Sequence, residues 1–198
     1  MSDDARYSKR GFLGLGVRRA KEAAAVGAEF ALERFADRFT PRVQRPPGAI
    51  AELEFLIACT RCGECVRACP VGAILTLDEG AGASAGTPFL DVNRYRPCVA
   101  CEDAPCMPAC PEPALSVIDV RDAVMGTAIV DREACIEWLG GTCERCITAC
   151  PYPGDALLVD EDGRPFIDPR HCIGCGMCVA ACPTSPAALR VEPPGRFA

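Results

Sequence analysis

Short apolar segments alternate along the chain with stretches rich in cysteine, glycine and proline. Four of the apolar segments follow a Cys-Pro pair, and they span Ala73–Leu77, Ala114–Ile118, Ala156–Val159 and Ala187–Val191. Three others precede a cysteine-rich stretch, and they span Pro88–Val92, Thr127–Val130 and Pro165–Ile167. Runs such as Ala-Ile-Leu-Thr-Leu are typical of strands about four or five residues long. The pattern predicts repeats that are each built of a strand, a cysteine loop, one helical turn and a second strand.

The periodicity changes near the N-terminus, where apolar residues recur at helical spacing between Lys21 and Phe39. An apolar stripe consists of Ala28, Leu32, Phe35 and Phe39. An acidic row consists of Glu29, Glu33 and Asp37. This pattern predicts an N-terminal amphipathic helix. Such a helix could pack on its own chain, dock on a partner or a membrane surface, or be the remnant of an export signal.

A large conventional core is not expected in this chain. Hydrophobic residues make up 49% of the 198 residues, but that figure includes sixteen cysteines, and aromatic residues are only 6%. A small core needs additional cross-links, and metal centres can provide them. The composition therefore indicates a fold that depends on its metal ligands.

Charge divides the chain into two parts. Residues 1–50 contain ten basic and six acidic side chains, whereas residues 51–198 contain eleven basic and 21 acidic ones and all sixteen cysteines. We therefore predict a basic leader with the amphipathic helix over residues 1–45 and a four-motif domain over residues 46–198. The formal charge of −6 argues against a nucleic-acid partner, because there is no basic excess to neutralise phosphates.

The cysteines form four groups of four, and each group ends in Cys-Pro. The groups occupy residues 59–70, 98–111, 135–151 and 172–183. Groups one and four have two residues between successive cysteines and three before the last one, and groups two and three have the same run with one loop widened. The members are Cys59, Cys62, Cys65 and Cys69 in group one; Cys98, Cys101, Cys106 and Cys110 in group two; Cys135, Cys143, Cys146 and Cys150 in group three; and Cys172, Cys175, Cys178 and Cys182 in group four.

This spacing is typical of the cysteine run that binds [4Fe–4S] clusters in bacterial two-cluster ferredoxins. The two-residue steps wrap the backbone around one corner of a cube, and the three-residue step carries the last thiolate to the other cluster of a pair. A disulfide framework would not explain four repeats that each end in Cys-Pro. Zinc knuckles use pairs of cysteines separated by a longer spacer. A thioredoxin-like site would use one exposed Cys-x-x-Cys pair. We therefore predict four [4Fe–4S] clusters in an α+β fold of pseudo-symmetric dicluster ferredoxin-like modules.

The sequence leaves two ways to pair the groups. Sequential pairing joins one with two and three with four, whereas nested pairing joins one with four and two with three. The outer groups share the plain spacing and the inner groups the widened spacing, which favours nested pairing. The expected ligand sets are then Cys59, Cys62, Cys65 and Cys182; Cys98, Cys101, Cys106 and Cys150; Cys135, Cys143, Cys146 and Cys110; and Cys172, Cys175, Cys178 and Cys69.

Several stretches between the cysteines resemble the MauM/NapG group of ferredoxin-type proteins. They are Arg45–Ala49, Ser84–Pro88, Pro97–Cys106 and the stretch from Met125 to Cys135 with the wide gap that follows it. The resemblance implies an electron relay between a membrane quinol-oxidising partner and a downstream redox enzyme. Related four-cluster subunits of molybdenum oxidoreductases likewise imply nested pairing.

The N-terminus departs from this family, whose members typically carry a twin-arginine export signal. Ser8–Gly14 is similar to that signal, but Lys9 stands where its first arginine is expected. The apolar stretch that should follow is interrupted by Arg18, Arg19, Lys21 and Glu22. The sequence therefore favours a cytoplasmic location, with periplasmic export as the alternative, and it predicts no transmembrane segment.

No catalytic residues are predicted, and we expect an electron-transfer subunit rather than an enzyme. The single histidine, His171, is expected in an exposed loop, and the Gly11–Gly16 stretch lacks the spacing of a dinucleotide fingerprint. Trp138, in the widened loop of group three, is expected either to shield a cluster or to take part in ordinary packing. The alternative function is an assembly or maturation factor for a partner metalloenzyme.

Overall fold

The computed structural model describes residues 42–94 and 96–195, and its helices and strands are short. The predicted amphipathic helix and the export-like stretch lie outside the described residues. Within them the helices are α1 (Glu52–Ala58), α2 (Glu64–Ala68), α3 (Arg145–Ala149) and α4 (Met177–Ala181). The strands are β1 (Ile74–Thr76), β2 (Pro88–Leu90), β3 (Thr127–Val130), β4 (Leu157–Val159), β5 (Pro165–Ile167) and β6 (Leu189–Glu192). Short 3-10 turns span Glu79–Ser84, Val92–Arg94 and Val120–Asp122.

The strands pair as antiparallel two-stranded ribbons. β1 pairs with β2 and β4 pairs with β5, so one hairpin links groups one and two and another links groups three and four. β3, which precedes group three, pairs with β6, which follows group four, with Ala128 opposite Val191. The connections therefore hold neighbouring groups side by side, and the prediction of a mixed fold of short helices and strands is confirmed.

One predicted strand is not formed, although its residues are all described. The Ala114–Ile118 segment forms an isolated bridge between Leu115 and Ala49, with hydrogen bonds from Ser116 N to Gly48 O at 2.7 Å and from Ile50 N to Ala114 O at 3.3 Å. The residues just before Gly48 are Pro46 and Pro47. Proline has no N–H to donate, so the ladder cannot be extended in that direction.

A short helix occupies the three-residue step before the last cysteine in groups one, three and four. α2, α3 and α4 end immediately before Cys69, Cys150 and Cys182, and a proline follows each of these cysteines. Proline restricts the residue before it and lacks an N–H, so the helix cannot continue. Group two has hydrogen-bonded turns at this step. Its Pro108 removes an N–H that a helix would need there.

The apolar core is small and includes cysteine side chains. Its fully buried members include Phe55, Val92, Met107, Met125 and Leu157. The same buried cluster contains Cys65, Cys106, Cys146, Cys175 and Cys178. In the described part of the chain, no helix has both the length and the apolar character needed to cross a membrane.

A buried arginine holds α1 against the first hairpin. Arg45 is 6% exposed, and its guanidinium donates to both carboxylate oxygens of Glu52, at 2.8 and 2.6 Å, to Thr87 Oγ1 at 2.8 Å and to Pro88 O at 2.7 Å. The same group stacks 4.6 Å above the centre of the Phe55 ring. Buried charges persist where they are paired and hydrogen-bonded in this way. Arg45 and the equally buried Gln44 therefore belong to the folded body, although residues 1–45 were predicted to form the leader.

Replacing Arg45 by alanine should destabilise the fold strongly. The Glu52 carboxylate, whose side chain is 14% exposed, would be left without its partner. Removing one member of a buried ion pair costs about 3–5 kcal/mol, and we expect a loss of that size in the free energy of unfolding, measured by circular dichroism in guanidinium.

The matched control is Arg67→Ala. Arg67 pairs with Glu64 on the surface, where the two side chains are 61% and 48% exposed. An exposed pair contributes less than about 1 kcal/mol, so this variant should unfold close to the unmodified chain. Equal losses in the two variants would contradict a structural role for the Arg45 pair.

Candidate metal centres

The sixteen cysteines line four separate cavities, four to each. Three cysteines of every set come from one group, and the fourth is the last cysteine of a neighbouring group. Cavity A is lined by Cys59, Cys62, Cys65 and Cys110; cavity B by Cys98, Cys101, Cys106 and Cys69; cavity C by Cys172, Cys175, Cys178 and Cys150; and cavity D by Cys135, Cys143, Cys146 and Cys182.

The chemistry of these cavities fits a sulfur-ligated polynuclear cluster. All sixteen cysteines lie in the described residues, and all are free thiols rather than disulfides. In the described ranges no group of three or more Cys, His, Asp or Glu side chains is gathered closely enough to hold a single metal ion. The linings of cavities B, C and D, as described, contain no charged side chain. Four soft sulfur ligands spread around an apolar space suit an iron–sulfur core better than one zinc ion.

Backbone amides point at several of the sulfurs. Cys69 Sγ accepts a hydrogen bond from Ala73 N at 3.3 Å, Cys172 Sγ one from Ala128 N at 3.4 Å, and Cys182 Sγ one from Ala188 N at 3.3 Å. The Thr184 hydroxyl lies 3.2 Å from Cys182 Sγ and accepts from Ala188 N at 2.9 Å. Donors placed in this way stabilise negative charge on a ligating sulfur.

Burial makes the thiolate form costly when no metal is bound. Desolvation, reinforced by neighbouring cysteines, raises the pKa of Cys65 and of Cys146 to about 11. The same causes raise the pKa of Cys106 to about 12. Desolvation is also the main cause that raises the pKa of Cys175 to about 12, and it raises that of Cys178 further. At neutral pH these thiols lose their protons only when cations compensate the charge, so metal binding and proton release are coupled.

The four cavities follow one another in a row. α2 carries Cys65 of cavity A and continues to Cys69 of cavity B, one helical turn later. In the same way α4 links Cys178 of cavity C to Cys182 of cavity D. Cavities B and C meet where Cys98 N donates to Cys175 O at 2.9 Å. The order is therefore A, B, C, D.

This arrangement corrects the nested pairing predicted from the sequence. Cys110 lies in cavity A in place of Cys182, Cys69 in cavity B in place of Cys150, Cys150 in cavity C in place of Cys69, and Cys182 in cavity D in place of Cys110. The three close cysteines of each group do line one cavity together, and their role as cluster ligands stays a prediction. The spacing within a group describes the loop around one cavity, whereas the choice of partner group is made by the β1–β2 and β4–β5 hairpins.

Two other side chains considered from the sequence lie outside the cavity linings. Two guanidiniums lie over the Trp138 ring, with Cζ of Arg132 at 4.3 Å and Cζ of Arg164 at 5.4 Å from the ring centre. The Trp138 Nε1 donates to Pro165 O at 3.1 Å. It packs the widened loop onto β5 and is not among the residues lining cavity D. His171 is exposed, as predicted, with Nδ1 3.4 Å from an Asp168 carboxylate oxygen.

Thr184, which lines cavity D, and Glu137, which contacts a cysteine of that cavity, were not singled out from the sequence. Glu137 accepts a hydrogen bond from the backbone N–H of Cys143 in the widened loop. Thr184 stands two residues after the last cysteine of group four, where groups one to three have Val71, Glu112 and Tyr152. Aligning the four groups on their last cysteine would have shown this hydroxyl as the exception.

Comparisons with known proteins agree with this geometry. Two families, both described as 4Fe-4S dicluster domain, match residues 58–114 and 127–183. The methylamine utilization ferredoxin-type protein MauM of Paracoccus denitrificans is 42% identical over 74% of this chain and 69% of its own length. MauM of Methylorubrum extorquens is 39% identical over 85% of this chain and 81% of its own length. The ferredoxin-type protein NapG of Escherichia coli is 38% identical over 85% of this chain and 78% of its own length.

The chain belongs to the MauM/NapG family of ferredoxin-type proteins. It is thus a 4Fe-4S protein of electron transport, as predicted from the cysteine spacing. Each matched dicluster region contains two neighbouring groups, one and two in the first and three and four in the second. This division agrees with the sequential pairing of the cavities.

Removal of iron should unfold this MauM/NapG-family protein. Chelation of the iron under anaerobic conditions would return protons to the buried thiols and leave each set of four cysteines around an empty cavity. We expect loss of most of the far-ultraviolet circular dichroism signal, because metal binding in such domains supplies folding free energy. Iron with sulfide should restore the signal, and zinc alone should not. A chelated protein that kept its dichroism would contradict the structural role of the metal.

Proposed function

We propose that each of the cavities A to D holds one [4Fe–4S] cluster on its four cysteines. We propose further that the chain relays electrons between a donor-oxidising partner, such as a membrane quinol dehydrogenase, and a redox enzyme. The observation that carries this proposal is the row of four cavities, each lined by four cysteines. A [4Fe–4S] cluster, when bound, exchanges one electron at a time.

The residues around the cysteines support an electron-transfer role. Amides and the Thr184 hydroxyl lie within hydrogen-bonding distance of the sulfurs, and the linings of cavities B to D contain no charged side chain. Both features adjust the reduction potential of a sulfur-ligated centre. The relatives are named as ferredoxin-type proteins, which does not favour the assembly-factor alternative.

Partners are expected at the two ends of the row. Cavity A includes Cys62, the one cysteine of the sixteen, all described, that is exposed. The neighbouring helix α1 presents Leu53 and Ile57 to solvent, 60% and 79% exposed. An accessible centre beside apolar side chains is what a transient redox contact requires. Cavity D is the corresponding site at the other end.

A cytoplasmic location is also proposed, on sequence grounds alone. Lys9 replaces the first arginine of the export-like stretch, and charged residues interrupt the apolar stretch that should follow. A reporter fused to residues 1–45 would remain in the cytoplasm on this proposal, and its export would contradict it.

Metal analysis of the anaerobically purified protein tests the cluster content. Four clusters require about sixteen iron and sixteen acid-labile sulfide per chain, with electron paramagnetic resonance (EPR) signals of reduced [4Fe–4S] centres after dithionite. A value near eight, or zinc in place of iron, would contradict the proposal.

Two double variants test which cysteines act together. Cys62→Ser with Cys110→Ser removes two ligands of cavity A alone, so about four of the sixteen iron atoms should be lost. Cys62→Ser with Cys182→Ser removes one ligand each from cavities A and D, so about eight should be lost. The reverse result would indicate nested pairing and would overturn the proposed ligand sets.

A further inference from the structure

A seam of contacts joins the two halves of the folded body. We call residues 42–122, which contain groups one and two, the A/B unit, and residues 123–195, which contain groups three and four, the C/D unit. Within each unit, a helical turn of the same chain fixes the distance between the two cavities. Between cavities B and C the spacing depends instead on non-covalent contacts across this seam.

Several polar links cross the seam. Besides the exposed contacts of Arg42 with Pro194 O and of Arg121 with Asp155, three links involve residues near cavities B and C or in the core. Cys98 N donates to Cys175 O at 2.9 Å, which connects a residue of cavity B directly to one of cavity C. The Asn93 side chain donates to Val191 O and accepts from Val191 N, both at 2.8 Å. Gln44 Nε2 donates to Met125 O at 3.3 Å and to Gly174 O at 3.2 Å, while Gln44 O accepts from Leu90 N at 2.8 Å.

Among the described glycines, Gly176 is the one where an added Cβ atom would come nearest to the other unit. It lies between Cys175 and Met177 at the start of α4, with φ of 79°. A Cβ atom built on Gly176 would lie 2.4 Å from Cβ of Val92, a fully buried residue of the A/B unit. Real Cβ atoms do not come so close, and a packed interior cannot absorb an extra methyl without moving its neighbours.

The conformation alone does not account for this glycine, because group one contains a matched position. Gly63 occupies the same place in its group, at the start of α2, with φ of 75°. A Cβ atom on Gly63 would meet only the end of the flexible Arg67 side chain, at 3.3 Å. Both glycines therefore have the left-handed backbone conformation, but only at Gly176 would a side chain clash with a packed neighbour.

We propose that Gly176 is a positioning residue that sets the spacing of cavities B and C, and through it the exchange of electrons between the A/B and C/D units. The inference rests on the proposed four-cluster function. In the exchange, one electron is lost by the centre in one of these cavities and gained by the centre in the other, without transfer of a proton or an atom. Because Gly176 has no side chain, the group-four loop can lie against Val92, and Cys98 N can then donate its hydrogen bond to Cys175 O.

Alanine substitution at the two matched glycines tests the proposal. Gly63→Ala measures the cost of the left-handed conformation, whereas Gly176→Ala adds the clash with Val92. Hydrogen exchange of the Cys98 amide, followed by mass spectrometry of peptides that contain it, reports on the Cys98–Cys175 contact. We expect exchange at least about tenfold faster in Gly176→Ala than in either the unmodified protein or Gly63→Ala.

A spectroscopic signature separates positioning from simple stability. In the fully reduced protein, the magnetic interaction between the centres in cavities B and C should weaken in Gly176→Ala and persist in Gly63→Ala. Iron content should be the same in the two variants. If both variants show the same amide exchange and the same EPR interaction, the proposal is overturned.

A second variant keeps the test decisive if Gly176→Ala does not fold. Asn93→Ala removes both hydrogen bonds to Val191 and adds no atom to the seam. It should show the same two changes to a smaller extent, and unchanged exchange and EPR would overturn the proposal. If the unmodified protein holds fewer than four clusters, the function proposal fails, while the exchange of the Cys98 amide still reports on the seam.

Discussion

The fold depends on the bonds between buried cysteine sulfur and metal. Five cysteines are members of the same buried cluster as Phe55, Val92 and Met125. A sulfur buried to this extent stays protonated at neutral pH unless a cation compensates its charge, as the raised pKa of Cys175 illustrates. Clusters bound in the four cavities would therefore supply what the few aromatic residues of this chain do not, namely a rigid interior around which strands of three or four residues can be held.

The repeats give four similar cavities, and their surroundings make them different. Cavity A has an exposed cysteine in Cys62, whereas Cys175 and Cys178 of cavity C are buried. In cavity D, Thr184 adds a hydroxyl beside a sulfur, and Glu137 holds the backbone of the widened loop. Solvent access and hydrogen bonds to sulfur are the means by which proteins adjust the potentials of identical clusters. The four cavities therefore differ in the local properties that set the potential of a cluster bound in them.

Much of the local structure could be predicted from the sequence, because it depends on neighbouring residues. β3 and β5 have the predicted bounds, and the Cys-Pro pairs end α2, α3 and α4 as proline chemistry requires. The pairing of groups could not be predicted from spacing, because widened loops in groups two and three describe how each wraps its own cavity. The partner is chosen by the short hairpins, whose pairing is a tertiary contact. The burial of Arg45 was missed for a related reason: its partners Thr87 and Pro88 lie more than forty residues away.

An internal repeat also separates conformational from steric requirements without any substitution being made. The residue before the second cysteine has positive φ in groups one, two and four, where it is Arg61 (59°), Ala100 (48°) and Gly174 (75°). Arginine and alanine are accepted there, so the left-handed backbone does not by itself require glycine. A Cβ atom on Gly174, however, would lie 2.6 Å from the backbone of Gly126. Glycine is therefore needed at position 174 because the backbone of Gly126 lies so close to it. The carbonyl of Gly174 also accepts a hydrogen bond from Gln44 across the seam. Group four thus needs glycine for two different close approaches, at Gly174 to Gly126 within the C/D unit and at Gly176 to Val92 of the A/B unit.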